Sequence, residues 1–501
     1  MQKQLCIFLK YACVACFVLQ LQSNRYMDER DFLDSNSDYP NPHERHEFTK
    51  RIKRLIDQDE LHTIYDPDEL EEIVGALIEE GDYRRALRAA THLIALAPYN
   101  GDAWFSQGLA LANLSDYAGA AAAFEKAVAM NPCDVDALMH LGITLDNLGN
   151  SLKALEVYDR ASALSPLDDE IHFCRAISLE RLERYTEAEA ELQHCLELNP
   201  LHPEAWYELG YCKDMLGKLE ESLMCYNKHI DIEPYNANAW YNQGVVLSKL
   251  ERYQESIQSY DMAIAIRTDF ASAWYNRGNV LAAIGNLHEA IESYQQTLRI
   301  EHDDIASLFN IATAYEELGN YADAIFYLEK CIAIEPNYAD AWYGLACCYD
   351  MMDDLVTALK CINQAIALDA ECADYWHARA EIEYGLGNAE NALEFYRKSL
   401  SLDDKNVYAW YDYASTLLEM EHHQEAVLAL EKVVELEPSL AELADVHFEL
   451  ACAYKAIGDT ENTVRSLRRA FALDSAKRDL FKKVFPELYK HRAIREALGF
   501  K

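Results

Sequence analysis

From residue 67 onward the apolar positions of this 501-residue chain fall into pairs of short helical stripes separated by polar turns. Written in rows of 34 from Pro67, the pattern holds phase for eleven rows to Leu440. Three residues intervene, Ala441 to Leu443, and a twelfth row runs from Ala444 to Lys477. Columns 4, 8 and 11 of a row are spaced i, i+4, i+7 and share one helix face; columns 20, 24 and 27 share another. Each row therefore predicts two amphipathic helices. All seven tryptophans stand in column 4: Trp104, Trp206, Trp240, Trp274, Trp342, Trp376 and Trp410. Column 8 is Gly or Ala in eleven rows, and column 20 is always small, from Ala86 to Thr463. Gly in column 15, as at Gly81, Gly149, Gly217, Gly285, Gly319, Gly387 and Gly458, predicts a left-handed turn after the first helix. Pro in column 32, as at Pro98, Pro132 and Pro166, stops the second. Small residues in columns 8 and 20 predict close backbone approach, with the Trp ring filling the space beside them. One such hairpin cannot bury its own apolar face, so stability must come from stacking on neighbours.

The row 101–134 carries Trp104, Gly108, Leu111, Ala120, Phe124, Ala127 and Pro132. This pattern resembles the tetratricopeptide repeat family. The row from Pro203 departs at column 27, where His229 replaces the usual Ala; column 32 is Thr268, His302, Ala370, Asp404 or Ser475 in other rows. The resemblance covers residues 67–477. It implies an all-α, right-handed solenoid of stacked helix-turn-helix repeats whose first helices line a concave groove.

The segments outside the repeats are short. Residues 1–26 are expected to be a leader, or to precede a start that belongs at Met27: an apolar stretch from Leu5 to Leu21 is broken by Lys10 and followed by no small-residue cleavage site. A signal peptide or membrane anchor within residues 1–22 is the alternative it leaves open. Residues 27–66 predict a polar arm and a short helix. Residues 478–501 predict basic helices, with seven cations against three acids, divided by Pro486 and capping the last repeat; the sharper alternative is a basic tail that contacts an acidic groove in another copy, a form of self-association.

Charge narrows the partner. Lys and Arg number 45 against 85 Asp and Glu, a formal charge of −40, and the repeats themselves carry −42. That disfavours bare nucleic acid and anionic membrane surfaces, which need clustered cations. Eleven of the fourteen cysteines are scattered through the repeats, mostly at small-residue columns such as Cys195 and Cys331 in column 27. They predict packing and free thiols, hence a reducing, cytoplasmic setting rather than a disulfide framework. Cys13 and Cys16 have CxxC spacing without further metal ligands, and the adjacent His422 and His423 diverge on a helix. His43 and His46 lie in the polar arm. Asn113-Leu-Ser115 is a glycosylation sequon by letters only. No nucleotide loop, zinc-protease, hydrolase or calcium motif is present, so no enzyme activity, cofactor or metal is expected.

Function is expected on the first helices, where columns 2, 5, 9, 12 and 13 form a stripe distinct from the packing stripe, with column 6 beside it. Column 6 holds Asn242, Asn276 and Asn310 in consecutive rows. An amide offers donor and acceptor together, so a ladder of them can hold an extended main chain; this is similar to the asparagine ladder of the O-linked N-acetylglucosamine transferases. The alternative is that these amides are structural. Column 5 is aromatic in nine rows: Phe105, Phe173, Tyr207, Tyr241, Tyr275, Phe309, Tyr343, Tyr411 and Phe448. Such rings serve inter-repeat packing or a peptide groove. Column 2 acids such as Asp102, Asp136, Glu204, Asp340 and Asp374 fit helix capping and the helix dipole. Column 12 differs, because Asp146, Glu180, Asp214, Glu316 and Asp350 sit near the helix C-terminus, where the dipole disfavours them. Acids kept there point to a cationic ligand or to solubility. The paired cations that would clamp an acidic peptide tail are missing from columns 2 and 6.

The expected function is a noncatalytic scaffold or adaptor presenting an acidic, aromatic groove to an extended or basic protein segment. A recruiting subunit of a separately encoded enzyme, such as a transferase, and a membrane-tethered assembly factor are the alternatives.

Overall fold

The computed structural model describes residues 53–58, 60–437 and 443–500. The apolar leader, Cys13, Cys16, His43 and His46 lie outside them, as do Ala441 and part of the break before the twelfth repeat. The periodicity is reproduced residue by residue. In each of the first eleven repeats the first helix occupies columns 1–13 and the second columns 17–30, as in Gly101–Asn113 with Tyr117–Met130 and Ala339–Met351 with Leu355–Leu368. The twelfth repeat is Leu443–Ala456 and Thr460–Leu473. No strand occurs among the described residues.

Local chemistry explains the boundaries. Column 15 is left-handed in all twelve repeats: the seven glycines adopt it, and so do Ser115, Glu183, Glu251, Asp353 and Glu421, with φ between 59° and 64°. The hairpin therefore requires this backbone state even where a side chain makes it unfavourable. The first helices are capped from column 34, where the side chains of Asn100, Asp134, Asp168, His202, Asn236, Asp304 and Asn406 accept a first-turn N–H. The column 2 acids do not cap; they sit inside the first turn, where only the dipole favours them.

The small columns admit a ring, and it is not the tryptophan. A Cβ at Gly108 would lie 2.5 Å from the Phe124 ring, at Gly142 2.4 Å from Tyr158, and at Gly278 2.6 Å from Tyr294, all column 24 side chains. Tyr158, Tyr226, Tyr260 and Tyr294 are among the most deeply buried large side chains. The Trp rings are only half-buried. Each donates Nε1–H to the carbonyl six residues earlier, in column 32: Pro98, Pro200, Pro234, Thr268, Pro336, Ala370 and Asp404. A backbone acceptor serves whatever the side chain, so departures from Pro in that column are tolerated.

The chain divides into two compact units, Met1–Arg252 and Tyr253–Lys501. In the first, Ile56, Leu61 and Ile64 are buried against Leu70, Ile73 and Leu77 of the first repeat, and Asp57 receives two 2.9 Å hydrogen bonds from Arg85. A continuous core then runs from Ala120 through Leu138, Tyr158, Ile171 and Leu192 to Cys225. It carries a buried ion pair: Lys213, in a packing column, donates to Glu189 at 3.0 Å, Lys218 reaches the same carboxylate at 2.7 Å, and Glu221 also receives from Lys213.

In the second unit the core clusters centre on Tyr294 and Ile311, on Leu328, Ile362 and Cys348, and on Tyr396, Leu417 and Leu430. Beyond Leu473 the helices Lys477–Val484, Pro486–Lys490 and Arg492–Ala497 bring Phe481, Phe485 and Leu498 onto Phe448 and Phe471 of the last repeat. Among the described residues no helix is long and apolar enough to cross a membrane, and the eleven cysteines are free.

Candidate functional site

The first-helix face that the sequence singles out is built on one recurring contact. A column 5 ring meets the column 6 side chain of the next repeat, 35 residues on. Asn242 Nδ2 donates to Tyr207 Oη at 2.8 Å, and Asn310 Nδ2 donates to Tyr275 Oη at 3.2 Å and to Asn279 Oδ1 at 3.1 Å. The same geometry joins His377 Nε2 to Asp412 at 2.9 Å and, across the three-residue break, Tyr411 Oη to Glu449 at 3.0 Å. The Nδ2 groups of Asn242 and Asn310 are thus engaged by the preceding repeat, and Asn276 is likewise half-buried with interactions of its own. The rings are packed too. Tyr207 lies 5.7 Å from Tyr226 and 5.4 Å from His229, Tyr275 5.8 Å from Tyr294, Phe309 5.3 Å from Tyr338 and Tyr343 5.2 Å from Tyr375. Those four column 5 rings, Tyr241 and Tyr411 remain half-buried, whereas Phe173 and Phe448 are buried outright.

Column 12 splits between the two units. In the first, the acids are answered from the following repeat. Asp146 is buried, accepts from Ser178 Oγ at 2.5 Å, and has its backbone carbonyl held by Arg181. Burial nevertheless holds its carboxyl above the usual range. Asp214 accepts two bonds from Lys249, at 2.6 and 2.8 Å, and Glu180 accepts from Cys212 Sγ. Arg181 and Lys249 are column 13 residues, so for Asp146 and Asp214 a cation one position further along supplies the neutralising charge, whereas Glu180 is followed in that column by Met215.

In the second unit that arrangement is missing. The column 13 residues that follow Glu316 and Asp350 are Met351 and Gly385. Among the described residues no cation pairs with either carboxylate. Both are raised above the ordinary range, Glu316 by burial and then by Glu317, Asp350 by burial and then by Asp353. Glu381, in column 9 of the next repeat, joins them. Burial raises it, Asp412 and Asp350 add to the rise, and its one cationic neighbour is His377 Nδ1 at 3.9 Å. The Cys347 thiol stands among all three, pushed up to about 12 by burial first and Glu316 next, with Asp350 and Glu381 contributing. Tyr343 is hydrogen-bonded with the Cys347 thiol, and Met351, next in sequence to Asp350, is largely exposed. Glu381 and Asp412 belong to columns the sequence placed on this face but did not single out; the absence of a column 13 cation beyond Glu316 and Asp350 was the readable signal.

Among the described residues, two side-chain groups have donor atoms within 4.8 Å of one another, near enough that a metal ion could join them: Asp169, Cys195 and His202 in the first unit, and His377, Glu381 and Asp412 in the second. In the latter, both ring nitrogens of His377 already face carboxylates. Burial lowers its pKa, but Asp412 and Glu381 outweigh that and raise it, so the group is an ion pair within the acidic cluster.

Family models described as tetratricopeptide repeat match residues 75–132 and 111–169, 172–200, 191–224, 225–258, 269–334, 315–382, 373–406, 395–427 and 444–477, and one described as TPR repeat matches 249–285. No curated protein is matched. Among solved structures, the APC/C hetero-tetramer Cut9–Hcn1 is similar at 15% identity over 82% of this chain and 95% of that one, with a TM-score of 0.40. Yeast Tom70 is similar at 13% identity over 82% and 99%, with a TM-score of 0.38. The C-terminal part of a TPR repeat-containing protein from Cytophaga hutchinsonii shares 17% identity over 48% and 98%, with a TM-score of 0.44.

Proposed function

The chain belongs to the tetratricopeptide repeat family, whose repeats are protein-interaction scaffolds, and on that footing we propose that it is a noncatalytic adaptor that captures an extended, basic segment of a protein partner. The capture surface is the first-helix face of the second unit, around Glu316, Asp350 and Glu381. One observation carries this reading: Glu316 and Asp350 are half-buried carboxylates, raised above their ordinary range, for which the neighbouring repeats provide no cation. A Lys or Arg side chain brought by a partner relieves that cost. Asn242 and Asn310 are assigned to holding one repeat on the next, since the Nδ2 of each donates to a tyrosine hydroxyl of the preceding repeat.

The test is titration of the full chain with an unstructured Lys/Arg-rich peptide at two salt concentrations. Three partly exposed charge pairs at about 0.5 kcal/mol each make about 1.5 kcal/mol, so the variant Glu316→Gln, Asp350→Asn, Glu381→Gln should bind roughly tenfold more weakly and with a shallower salt dependence. A first-turn control, Asp102→Asn, should leave binding unchanged. Equal affinity of the triple variant, or preference for an acidic peptide, would remove the proposal.

A further inference from the structure

The other side-chain group lies at the junction of the fourth and fifth repeats, inside the first unit. Asp169 opens the helix Asp169–Arg181, Cys195 sits in the helix Tyr185–Leu198, and His202 caps the helix Pro203–Met215. Cys195 is completely buried and His202 is 4% exposed. His202 Nε2 makes no hydrogen bond, and the nearest charged atom to it is Glu170 Oε1 at 3.6 Å. An imidazole nitrogen buried without a hydrogen bond, beside a thiol and two carboxylates, is a costly arrangement unless something occupies the space between them. The repeat pattern sharpens the point. Column 27 is Cys only at Cys195 and Cys331, and column 34 is His only at His202. Cys331 faces the packing role alone, with Tyr338 in its column 34 and its Sγ 3.9 Å from the Ile305 carbonyl. Cysteine in column 27 and histidine in column 34 coincide in one repeat of twelve.

We propose that Cys195 Sγ, His202 Nε2 and the Asp169 carboxylate bind a zinc ion, with Glu170 placed to supply the fourth ligand. A thiolate, an imidazole and carboxylates form a donor set suited to this ion. Tetrahedral bonds of about 2.0–2.3 Å set the donors roughly 3.5 Å apart, so a group now within 4.8 Å closes by about 1 Å. The outer contacts are in place. Asn199 Nδ2 donates to Asp169 Oδ2 at 2.8 Å, and Glu204 Oε2 lies 3.3 Å from His202 Nδ1, where it receives the ring proton once Nε2 is a ligand. Loading releases the Cys195 thiol proton to solvent. It also takes from the Ala205 N–H the Nδ1 acceptor it now uses at 3.2 Å, which couples the ion to the start of the fifth repeat.

The experiment strips the full chain with a chelator, reloads it with Zn²⁺ or Co²⁺, and measures bound metal by emission spectrometry and the cobalt–thiolate charge-transfer absorption. The substitutions Cys195→Ala and His202→Asn introduce residues that the same columns carry elsewhere, at Ala127 and Ala161 and at Asn100 and Asn236, so the repeat geometry is retained. One tight equivalent in the unaltered chain is expected, weakened at least tenfold by either substitution, with the cobalt–thiolate band lost in Cys195→Ala and both signals unchanged in Cys331→Ala. No tight equivalent, the same affinity in Cys195→Ala, or an equal loss in Cys331→Ala would overturn the assignment.

Discussion

Alanine at Gly142 and alanine at Gly210 are expected to change stability in opposite directions, although both glycines occupy column 8. Each is helical, so removing Gly contributes about 0.8–1 kcal/mol of helix propensity at either site. The difference lies in what the new methyl meets. At Gly142 it would stand 2.4 and 2.5 Å from two ring carbons of Tyr158; at Gly210 it would stand 3.1 Å from Tyr226. Ordinary carbon contacts are about 3.5–4.0 Å. The overlap at 142 therefore exceeds 1 Å, while that at 210 needs a shift of a few tenths. Tyr158 has no room to retreat: it is 1% exposed, and its hydroxyl donates to the buried Asp146 carboxylate at 3.4 Å. Overpacking of this kind costs about 1–3 kcal/mol. Gly142→Ala should then lose on the order of 1 kcal/mol net, and Gly210→Ala should gain about 0.5 kcal/mol or be neutral. Circular-dichroism melts of the full chain should show the first Tm falling by about 2–4 °C while the second holds or rises. Hydrogen exchange should place the weakening in the third repeat, since solenoid repeats couple mainly to their neighbours. A rise in Tm for Gly142→Ala equal to that of Gly210→Ala would refute the reasoning.

Glu183, Glu251 and Glu421 hold the left-handed state at column 15, so replacing each by Gly should raise the urea midpoint by the equivalent of about 0.5–1 kcal/mol, strain relief exceeding the added chain entropy; a lower midpoint would contradict it. For Glu189, burial raises the carboxyl pKa, but hydrogen bonds from Lys218 and Lys213 outweigh it, and the folded value lies below the ordinary one. Its stabilisation is therefore present above the ordinary glutamate range and lost as pH falls through the depressed folded value. Glu189→Gln should cost on the order of 3 kcal/mol at neutral pH, leaving Lys213 short of a buried partner, and should flatten the acid limb of a stability–pH profile; an unchanged limb would show that other carboxylates control it.

The periodic features were legible because they are local. Trp spacing, Gly in column 15 and Pro in column 32 each act within one hairpin, through backbone conformation and helical phase, and the helix boundaries follow them to the residue. What fills a packing space is not local. The column 8 glycines announced a close approach, but only the assembled hairpin shows that the column 24 ring enters it while Trp turns to a backbone carbonyl. Likewise Asn242 and Asn310 carry the same letters whether they face a peptide or a neighbouring tyrosine.

By itself, then, the sequence determined that this chain is a stack of two-helix repeats, because repeated apolar phase and turn chemistry admit one local solution at every row. The tertiary structure decided which polar groups those rows leave over. Residues 35 apart become neighbours only when repeats stack, and that stacking gives Asp214 to Lys249 while leaving Glu316 and Asp350 without a cation. It also decided that one histidine cap, among twelve equivalent positions, meets a cysteine, an aspartate and a glutamate.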